Sequence, residues 1–484
     1  MTRFNIELYK CNIIITFALI KQITFYISMR RTILMVLTVL LIGGVIFLHR
    51  LITAEPISIV VEEEEQGYHL NDSLKNSLSD LPSMKRMEQY IERWMRRNAI
   101  KGASLAVMRN EQLIYCKGFG WADQELERQA EVGDIYRMAS ASKLITAVGI
   151  MKLCDEGLLT LDSKVFGPEG ILNHFTEIKD KRAHNITVRQ LLNHTSGFSR
   201  RMGDPMFRVT DVMRWEELTT TPTADELIAF QLGLRLRVAP GGSAQYSNVG
   251  YLVLSRIIEK VSGVSYEEYL QEHVLWPAGC YDMHIARNYY QDRYPNEVKY
   301  YGHDNERIES YDGSGVMRLR EYGGNNITGL QGAGAWVASP VEMMRLVASI
   351  DGKPTVPDVL SAESVAEMRN ITRKGDYALG WARYNASNGS LIRTGTMSGT
   401  CAYIDYRENG ISYVFFTNTS NYRGAKFTNS IGRMIRDAMV RVEEWPADRD
   451  MFVAVPTIEA DSLFSPNDIS QLHSERINGS LHTI

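Results

Sequence analysis

Two periodicities divide the start of the globular region into predicted helices and strands. Between residues 82 and 100, apolar side chains recur at helical spacing, which predicts a helix with one buried face: Met84, Met87, Tyr90, Ile91 and Trp94. From residue 102 to 123 apolar and polar positions alternate, with turn residues at Arg109 and Asn110. This second pattern predicts a β-hairpin.

The end of the globular region repeats the strand pattern. Three strand-like runs, at 377–385, 389–409 and 410–420, are separated by turn residues and followed by an amphipathic helix at 427–442. The long segment between the two strand regions contains several helical patterns and tyrosine-rich loops. Strands at both ends around a helical middle predict an α/β sheet domain with an all-helical insertion.

An apolar stretch near the N-terminus predicts membrane targeting. It runs from Thr32 to Leu48 without a charge and follows the basic pair Arg30 and Arg31. Its length of about 17 residues lies between a short membrane span and a long signal-peptide core. We favour an uncleaved anchor, with cleavage near Ala54 and secretion as the alternative. The flanking charges favour an inside N-terminus and a body on the extracytoplasmic, periplasmic side of the cell membrane.

Composition then divides the whole chain into four segments. Residues 1–54 form the targeting segment, and residues 55–80 are acidic and polar, which predicts a linker. The globular domain is expected at residues 81–442. Residues 443–484 form a polar tail in which no chemical motif is found.

Charge and cysteine content exclude several functions. The net charge of −4 argues against nucleic acid as a partner, since such a surface needs a clustered basic excess. The five cysteines are widely scattered, without a CxxC pair or a histidine at ligand spacing, so neither a disulfide framework nor a zinc site is indicated. No HExxH, P-loop or GxSxG motif occurs. We therefore expect no metal and no cofactor.

A lysine stands at the entrance of a helix that should be buried. From Leu144 to Leu153 the chain is apolar nearly all round, and Lys143 falls in the first turn, three residues after Ser140. A serine hydroxyl is a poor nucleophile until a base takes its proton. Residues three apart share a helix face, and burial lowers a lysine pKa, so Lys143 suits that role. The alternative makes Ser140 a helix cap and lets Lys143 reach water.

A second candidate pair precedes another predicted helix. Tyr246 and Asn248 lie in a loop rich in proline and glycine, before an apolar helix at 249–261. A phenol beside a lysine relays protons, and an amide holds both the lysine and a substrate carbonyl. The alternative makes Asn248 an N-cap and Tyr246 a loop anchor.

The segment "IRTGTMSG" supplies a third candidate region. Arg393 stands on a predicted strand and is followed by Thr394, Gly395 and Thr396. Such an edge lets a substrate backbone pair with the strand, and the Thr396 N–H is a candidate oxyanion donor. The alternative is a plain edge strand with an exposed arginine. His194, in "NHTSGF", is expected to hold a loop turn rather than to act as a triad base.

These motifs, in order, resemble those of class C β-lactamases and related penicillin-recognising serine hydrolases. "YRMASASK" is similar to the family's nucleophile segment, "ITVRQLLNHTSGF" to its second-domain signature, and "PGGSAQYSNVGYLVLSRIIEKVSG" to its tyrosine segment. "GAGAWVASPVEMMRLV" is similar to the segment before the last strands, and its Ser339 and Glu342 form a predicted capping box with Pro340 at N1. The resemblance covers residues 84–442. It implies a β-lactamase/DD-peptidase-like antiparallel sheet flanked by helices, with the all-helical insertion.

The resemblance also implies a role for each candidate residue. Ser140 would be the acylated nucleophile, Lys143 its base and Tyr246 a proton shuttle. Asn248 would orient the substrate, and the N–H groups of Ser140 and Thr396 would form the oxyanion hole. Substrate binding would further involve the third motif, which comprises Arg393, Thr394 and Gly395.

One departure from the family pattern leaves two function classes open. The family usually has lysine or histidine where this chain has Arg393, and arginine does not donate a proton at ordinary pH. Arg393 could grip a substrate carboxylate or supply positive potential beside Tyr246. The first class is a serine hydrolase acting on a peptide, a β-lactam or an ester. The second is a catalytically silent, membrane-anchored binding protein with the same fold.

Overall fold

The computed structural model describes residues 69–371, 377–385, 387, 389–420, 424–447 and 449–453. Its α-helices are α1 Leu70–Ser73, α2 Lys85–Arg97, α3 Ser142–Asp155, α4 Val188–Leu192, α5 Val209–Trp215, α6 Ala224–Leu232, α7 Asn248–Ser262, α8 Tyr266–Leu270, α9 Pro340–Ala348, α10 Ala362–Met368 and α11 Ala425–Met439. Its strands are β1 Gly102–Arg109, β2 Gln112–Asp123, β3 Arg128–Gln129, β4 Tyr136–Arg137, β5 His284–Ile285, β6 Arg307–Glu309, β7 Met317–Leu319, β8 Trp336–Ala338, β9 Arg383–Asn385, β10 Ser390–Met397, β11 Thr400–Arg407 and β12 Ile411–Thr417.

Strands from the two ends of the domain form one antiparallel sheet. Its seven strands follow the order β3-β2-β1-β12-β11-β10-β9. The two halves join where β1 pairs with β12, and Ala103 lies opposite Thr417. Strands β4, β5 and β8 form a small second sheet, and β6 pairs with β7. The predicted α/β architecture is confirmed: between α3 and β5 the described elements are all helical, and the short strands β4 to β8 lie before and after that insertion.

Alternating side chains of β1 fill a core on each face of the large sheet. Leu105 and Val107 pack with α2 and α11, which come from the two ends of the domain. Ala106 and Met108 face the other way and pack with the middle helices α3, α7 and α9. Period-two alternation therefore produces a three-layer arrangement, helix–sheet–helix.

The predicted hairpin is present, with its turn one residue later than expected. Asn110 and Glu111 occupy the turn, and both have positive φ, 51° and 62°. Two consecutive left-handed residues are typical of a type I′ turn, whose twist matches that of the flanking strands. The Glu111 carboxylate is buried and accepts a hydrogen bond from the Val356 N–H at 2.8 Å. This distant contact explains why a glutamate occupies a turn position that usually takes glycine.

The folded body extends beyond both predicted boundaries. Residues 69–80, assigned above to the linker, contain α1 and pack on the body through Leu70 and Leu74, which are buried in the main core. At the other end, Met451 is buried in the same core and its N–H donates to the Leu113 carbonyl. The linker is therefore shorter than predicted, and the tail begins later. The remaining residues of both segments lie outside the described part of the chain.

The predicted capping box at the start of α9 is only half formed. The Ser339 hydroxyl accepts from the Glu342 N–H at 3.1 Å, with Pro340 in the first turn as expected. The Glu342 carboxylate instead accepts from the Tyr281 and Asp282 N–H groups. Burial raises the pKa of Glu342 to about 8, because the charged form has lost its water.

The predicted anchor, Thr32 to Leu48, lies outside the described residues. Among the helices that the structure describes, none is both long enough and apolar enough to cross a bilayer.

Candidate active site

Ser140 lies in a tight turn that leads directly into the buried helix α3. The turn is a single 3-10 element, Ala139–Ala141, and Ala139 has a φ of 49°. A non-glycine residue in the left-handed region stores backbone strain and persists only where its surroundings hold it. The residue preceding α3 is Ala141, and no side chain caps the helix. The interpretation of Ser140 as a helix cap is therefore wrong.

Lys143 is completely buried, so the alternative in which it reaches water is also wrong. Its ammonium group lies 3.4 Å from the Ser140 Oγ, 2.7 Å from the Asn248 Oδ1 and 2.5 Å from the Ala333 carbonyl. Three acceptors match the three donors of a charged ammonium. Burial lowers the pKa of Lys143 and Arg393 adds to this effect, while Tyr246 opposes it.

Asn248 is held between Lys143 and an aspartate that the sequence motifs did not indicate. Its Nδ2 donates to the Asp204 Oδ2 at 2.7 Å, which fixes the amide with Oδ1 facing Lys143. The cap of α7 is Ser247, whose hydroxyl accepts from the Gly250 N–H at 3.0 Å. Because Ser247 satisfies the helix end, Asn248 is free to serve the site, and the N-cap interpretation is wrong.

Tyr246 makes the shortest contact to the candidate nucleophile. Its hydroxyl lies 2.7 Å from the Ser140 Oγ. Burial alone would raise the pKa of Tyr246, but the positive charges of Lys143 and Arg393 outweigh burial, and the pKa is lowered. The Lys143 ammonium lies 5.0 Å from the centre of the tyrosine ring. Tyr246 therefore lies between a serine proton and two cations that favour its phenolate.

Arg393 points into the protein, beneath the nucleophile turn. It is 1% exposed, and both its Nε and its Nη2 donate to the Ser140 carbonyl, the Nε at 2.8 Å. A buried guanidinium in this position cannot grip a substrate carboxylate, so that hypothesis is wrong, as is the interpretation of an exposed arginine. Its position agrees with the other proposed role, positive potential beside Tyr246.

The strand that carries Arg393 touches the nucleophile turn through Gly395. A Cβ on Gly395 would lie 1.9 Å from the Met138 carbonyl oxygen and 2.9 Å from the Ser140 nitrogen. Only glycine permits this approach. The close approach brings the Ser140 N–H next to Gly395, and Thr396 is the following residue of β10. An oxyanion hole made of the Ser140 and Thr396 N–H groups requires this proximity.

The outer edge of β10 has no strand partner over the same residues within the described part of the chain. Strand β9 pairs with Ser390–Ile392 only, and no other described strand lies beyond Ile392 on that side. A cleft of about 220 Å³ opens at the far end of β10, with Thr396, Met397 and Ser398 among its lining residues. The cleft reaches Thr396, the predicted oxyanion donor, but its lining does not include Ser140, Lys143, Tyr246 or Asn248.

His194 holds a loop turn, as expected, and also supports Tyr246. Its φ is 61°, its carbonyl accepts from the Gln245 N–H, and its Nδ1 accepts from the Ser247 N–H at 3.2 Å. Its ring lies 4.5 Å from the Tyr246 ring and 4.7 Å from the Tyr377 ring, centre to centre. Burial lowers the pKa of His194 well below its usual value, and Lys143 and Arg393 lower it further.

The structure brings all the predicted site residues except Thr394 into one connected arrangement around the nucleophile turn. Three further contributors were not predicted: Asp204, the Ala333 carbonyl and Tyr377. Asp204 precedes a proline in an irregular loop, and Ala333 contributes only its backbone, so neither carried a motif. These contacts form across the fold.

The chain belongs to the β-lactamase family of serine hydrolases, because the Beta-lactamase family model matches residues 87–431. It is similar to a penicillin-binding protein of Bacillus subtilis (strain 168), with 25% identity over 335 residues, 67% of this chain and 70% of that one. It is also similar to protein flp of Staphylococcus aureus (strain MW2), with 29% identity over 195 residues, 40% of this chain and 37% of flp.

The fold is shared with solved structures at lower identity. D-amino acid amidase from Ochrobactrum anthropi SV3, solved in complex with D-phenylalanine, superimposes with a TM-score of 0.58 at 20% identity. The match covers 74% of this chain and 99% of the amidase. This likeness confirms the predicted β-lactamase/DD-peptidase type of fold.

Proposed function

We propose that this chain is an active hydrolase that forms an acyl-enzyme at Ser140. The observation that carries the proposal is the 2.7 Å contact between the Tyr246 hydroxyl and the Ser140 Oγ, with two buried cations beside it. A serine hydroxyl becomes nucleophilic when a neighbouring group takes its proton as the bond to the carbonyl carbon forms. Here that group is within hydrogen-bond reach before any substrate binds.

We assign the proton-accepting role to the Tyr246 phenolate rather than to Lys143, which was the predicted base. Lys143 is farther from the Ser140 Oγ, at 3.4 Å, and is surrounded by three acceptors that favour its charged form. A charged ammonium cannot accept a proton, but it stabilises a phenolate. As the tetrahedral intermediate collapses to the acyl-enzyme, the protonated Tyr246 donates that proton to the leaving group, and the bond between the carbonyl carbon and the leaving group breaks. In deacylation it takes the proton of the attacking water and returns it to the Ser140 Oγ as the acyl bond breaks.

The charge that develops on the substrate oxygen also needs donors. We propose that the Ser140 and Thr396 N–H groups supply them, since Gly395 allows β10 to lie against the nucleophile turn. Arg393 braces the same turn from below through the Ser140 carbonyl. Thr394 and Gly395 would then face the substrate main chain at the open strand edge.

We propose a small acyl substrate, of peptide, amide, β-lactam or ester type. The cleft beside Thr396, about 220 Å³, suits a single side chain or a short substituent rather than a folded protein. D-amino acid amidase, which has the same fold, adds simple amides to the candidates. The alternative of a catalytically silent binding protein rested on the replacement of the family's lysine or histidine by Arg393. Arg393 donates a hydrogen bond to the Ser140 carbonyl, and this contact with the nucleophile turn favours an active enzyme.

Covalent labelling tests the proposal most directly. The full chain in membranes should react with a fluorescent fluorophosphonate or a fluorescent penicillin, and the label should map to Ser140. Profiling against D-Ala peptides, cephalosporins, amides and short esters would then rank the substrate classes. A folded chain that takes up neither label and hydrolyses none of these substrates would favour the silent binding protein.

We also propose that the residues from Thr32 to Leu48 tether the hydrolase to the cell membrane, with the body on the extracytoplasmic side. The uncharged stretch and the basic pair Arg30 and Arg31 support this orientation. Alkaline phosphatase fused after Val453 should be active in a bacterial host and should sediment with membranes. An active fusion recovered from the medium would favour cleavage near Ala54, and an inactive one would reverse the orientation.

A further inference from the structure

Five cations line a cleft that includes none of the candidate active-site residues. This cationic cleft has a volume of about 690 Å³, and its lining includes Lys179, Arg200, Arg201, Arg235 and Arg237. Its other lining side chains are Ser199, Met202, Leu234 and Leu236. No acidic residue lines the cleft, although the chain as a whole has a net charge of −4.

None of the five cations forms an ion pair or a side-chain hydrogen bond within the described part of the chain, unlike many arginines elsewhere in the fold. The acidic side chain next to the cleft in sequence, Asp180, already binds Arg182 and the Leu236 N–H. Like charges that converge without counter-charges repel one another. An anion bound among them would remove that cost, and the open cleft provides the space.

The cleft is connected to the active site by one short loop. Two residues that contact the site flank this loop: His194, whose ring lies against the Tyr246 ring, and Asp204, which accepts a hydrogen bond from Asn248. The residues between them include Ser199 to Met202 of the cleft wall. The Arg237 N–H donates to the Gly197 carbonyl at 2.8 Å, which attaches the other wall to the same loop.

We propose that the cationic cleft binds a multivalent anion, either the phosphate- or carboxylate-bearing part of a substrate or a separate anionic polymer. Guanidinium groups present paired donors that match both oxyanions. The binding itself does not depend on turnover at Ser140. Only the choice between the two sources rests on the proposed function.

Binding is tested on the full-length Ser140→Ala chain with two probes, tripolyphosphate and a fluorescent hexaglutamate peptide. The double variant Arg235→Gln/Arg237→Gln should bind both probes about ten- to hundredfold more weakly, because it loses two charge-assisted contacts. The matched control is Arg93→Gln/Arg97→Gln, which removes two exposed arginines of α2, on the opposite face of the sheet. The control should bind like the parent, and affinity should fall as salt is raised.

Equal weakening in both double variants would show general charge attraction and overturn the proposal, as would absence of saturable binding in the parent. The source of the anion is settled with fluorophosphonate labelling of the chain that retains Ser140. Competition between hexaglutamate and the label would place the anion on the substrate. Binding of hexaglutamate without competition would identify a separate polymer. Loss of labelling altogether would contradict the hydrolase proposal and leave the binding result intact.

Discussion

Two buried cations flank the nucleophile at equal distance along the chain, and they have different partners in the fold. Arg137 precedes Ser140 by three residues and Lys143 follows it by three, and each is at most 1% exposed. Arg137 faces the carboxylate of Glu297 at 3.6 Å and lies 4.3 Å from the centre of the Tyr300 ring. Lys143 makes no ion pair with any described residue and has only neutral oxygen acceptors.

The difference in partners indicates a structural role for the charge of Arg137 and supports the proposed catalytic role for the charge of Lys143. The Nη1 and Nη2 of Arg137 also donate to the Glu321 and Arg287 carbonyls, and its charge is matched by the nearby Glu297 carboxylate. Lys143 has satisfied donors but no carboxylate among its hydrogen-bond partners, and in the proposed mechanism its charge stabilises the Tyr246 phenolate. Burial of an unmatched charge is costly, and it is tolerated where that charge serves a reaction.

The largest effect should come from the nucleophile itself. Ser140→Ala should abolish covalent labelling and lower hydrolysis by about a thousandfold or more. The serine side chain caps no helix, so thermal unfolding should be unchanged within about 2 °C. Ser243→Ala, at an exposed serine of the loop that carries Tyr246, should label like the parent. Undiminished labelling of Ser140→Ala would remove Ser140 from the mechanism.

Removal of the unmatched cation should cost activity and not stability. Lys143→Met keeps the volume and apolar stem of the side chain, and it should lower kcat/KM by about a hundred- to ten-thousandfold. The free energy of unfolding should change by no more than about 1 kcal/mol, because the lost hydrogen bonds are offset by the removal of a buried charge. Denaturant titration alongside kinetics checks both. A large loss of stability would break the distinction drawn between the two cations.

The pH profile should reveal the tyrosine. Because the pKa of Tyr246 is lowered from its usual value, kcat/KM should rise with pH through that pKa as the phenolate forms. It should fall again as the pH passes the lowered pKa of Lys143, since the neutral amine no longer stabilises the phenolate. Tyr246→Phe should lose the acidic limb and about a hundredfold or more in rate. An unchanged acidic limb would return the proton-accepting role to Lys143.

Breaking the matched pair should have the opposite consequence. Glu297→Gln leaves Arg137 as a buried, uncompensated cation and should lower the free energy of unfolding by about 3–5 kcal/mol. At temperatures where the variant is still folded, its pH profile should keep the limbs of the parent. Urea unfolding with kinetics at low temperature tests this. A stable but inactive Glu297→Gln would place Arg137 in the chemistry.

The smallest effect is expected for a change that keeps the charge of the third motif. Arg393→Lys should retain most of the hydrolysis of a neutral ester, whereas Arg393→Ala should lose about ten- to hundredfold, the value of one charge-assisted hydrogen bond. The same ratio should hold for a substrate with a free carboxylate, because the guanidinium is buried. A selective loss on the carboxylate substrate would mean that Arg393 reaches the ligand after all.

Local chemistry in the sequence was enough to predict the centre of the site. Ser140 and Lys143 are three residues apart in sequence, and the Tyr246-x-Asn248 pair lies at the start of a helix, so both are local patterns. The partners that complete the site come from distant segments, so no local pattern could reveal them. Asp204 is 44 residues from Asn248, and the Arg393 contact spans 253 residues.

Boundaries were predicted less well than the site for a related reason. The acidic composition before residue 80 indicated a linker, yet Leu70 and Leu74 are completely or almost completely buried. Two buried leucines can hold a short helix against the core. The average composition of an acidic segment does not reveal two such residues. The hairpin turn moved by one residue because Glu111 is held by a contact with Val356, far along the chain.

The pairing of β1 with β12 also determines when the protein acquires its reactivity. Ser140 leaves the ribosome long before residues 390–417, which supply Arg393, Gly395 and the strands that join them to β1. Until those residues arrive, the nucleophile turn lacks the brace at its carbonyl and the strand opposite its N–H. A chain emerging residue by residue therefore lacks a complete candidate site until β10 to β12 have been made. On the proposed mechanism, we expect reactivity to begin only when these last strands pair with β1.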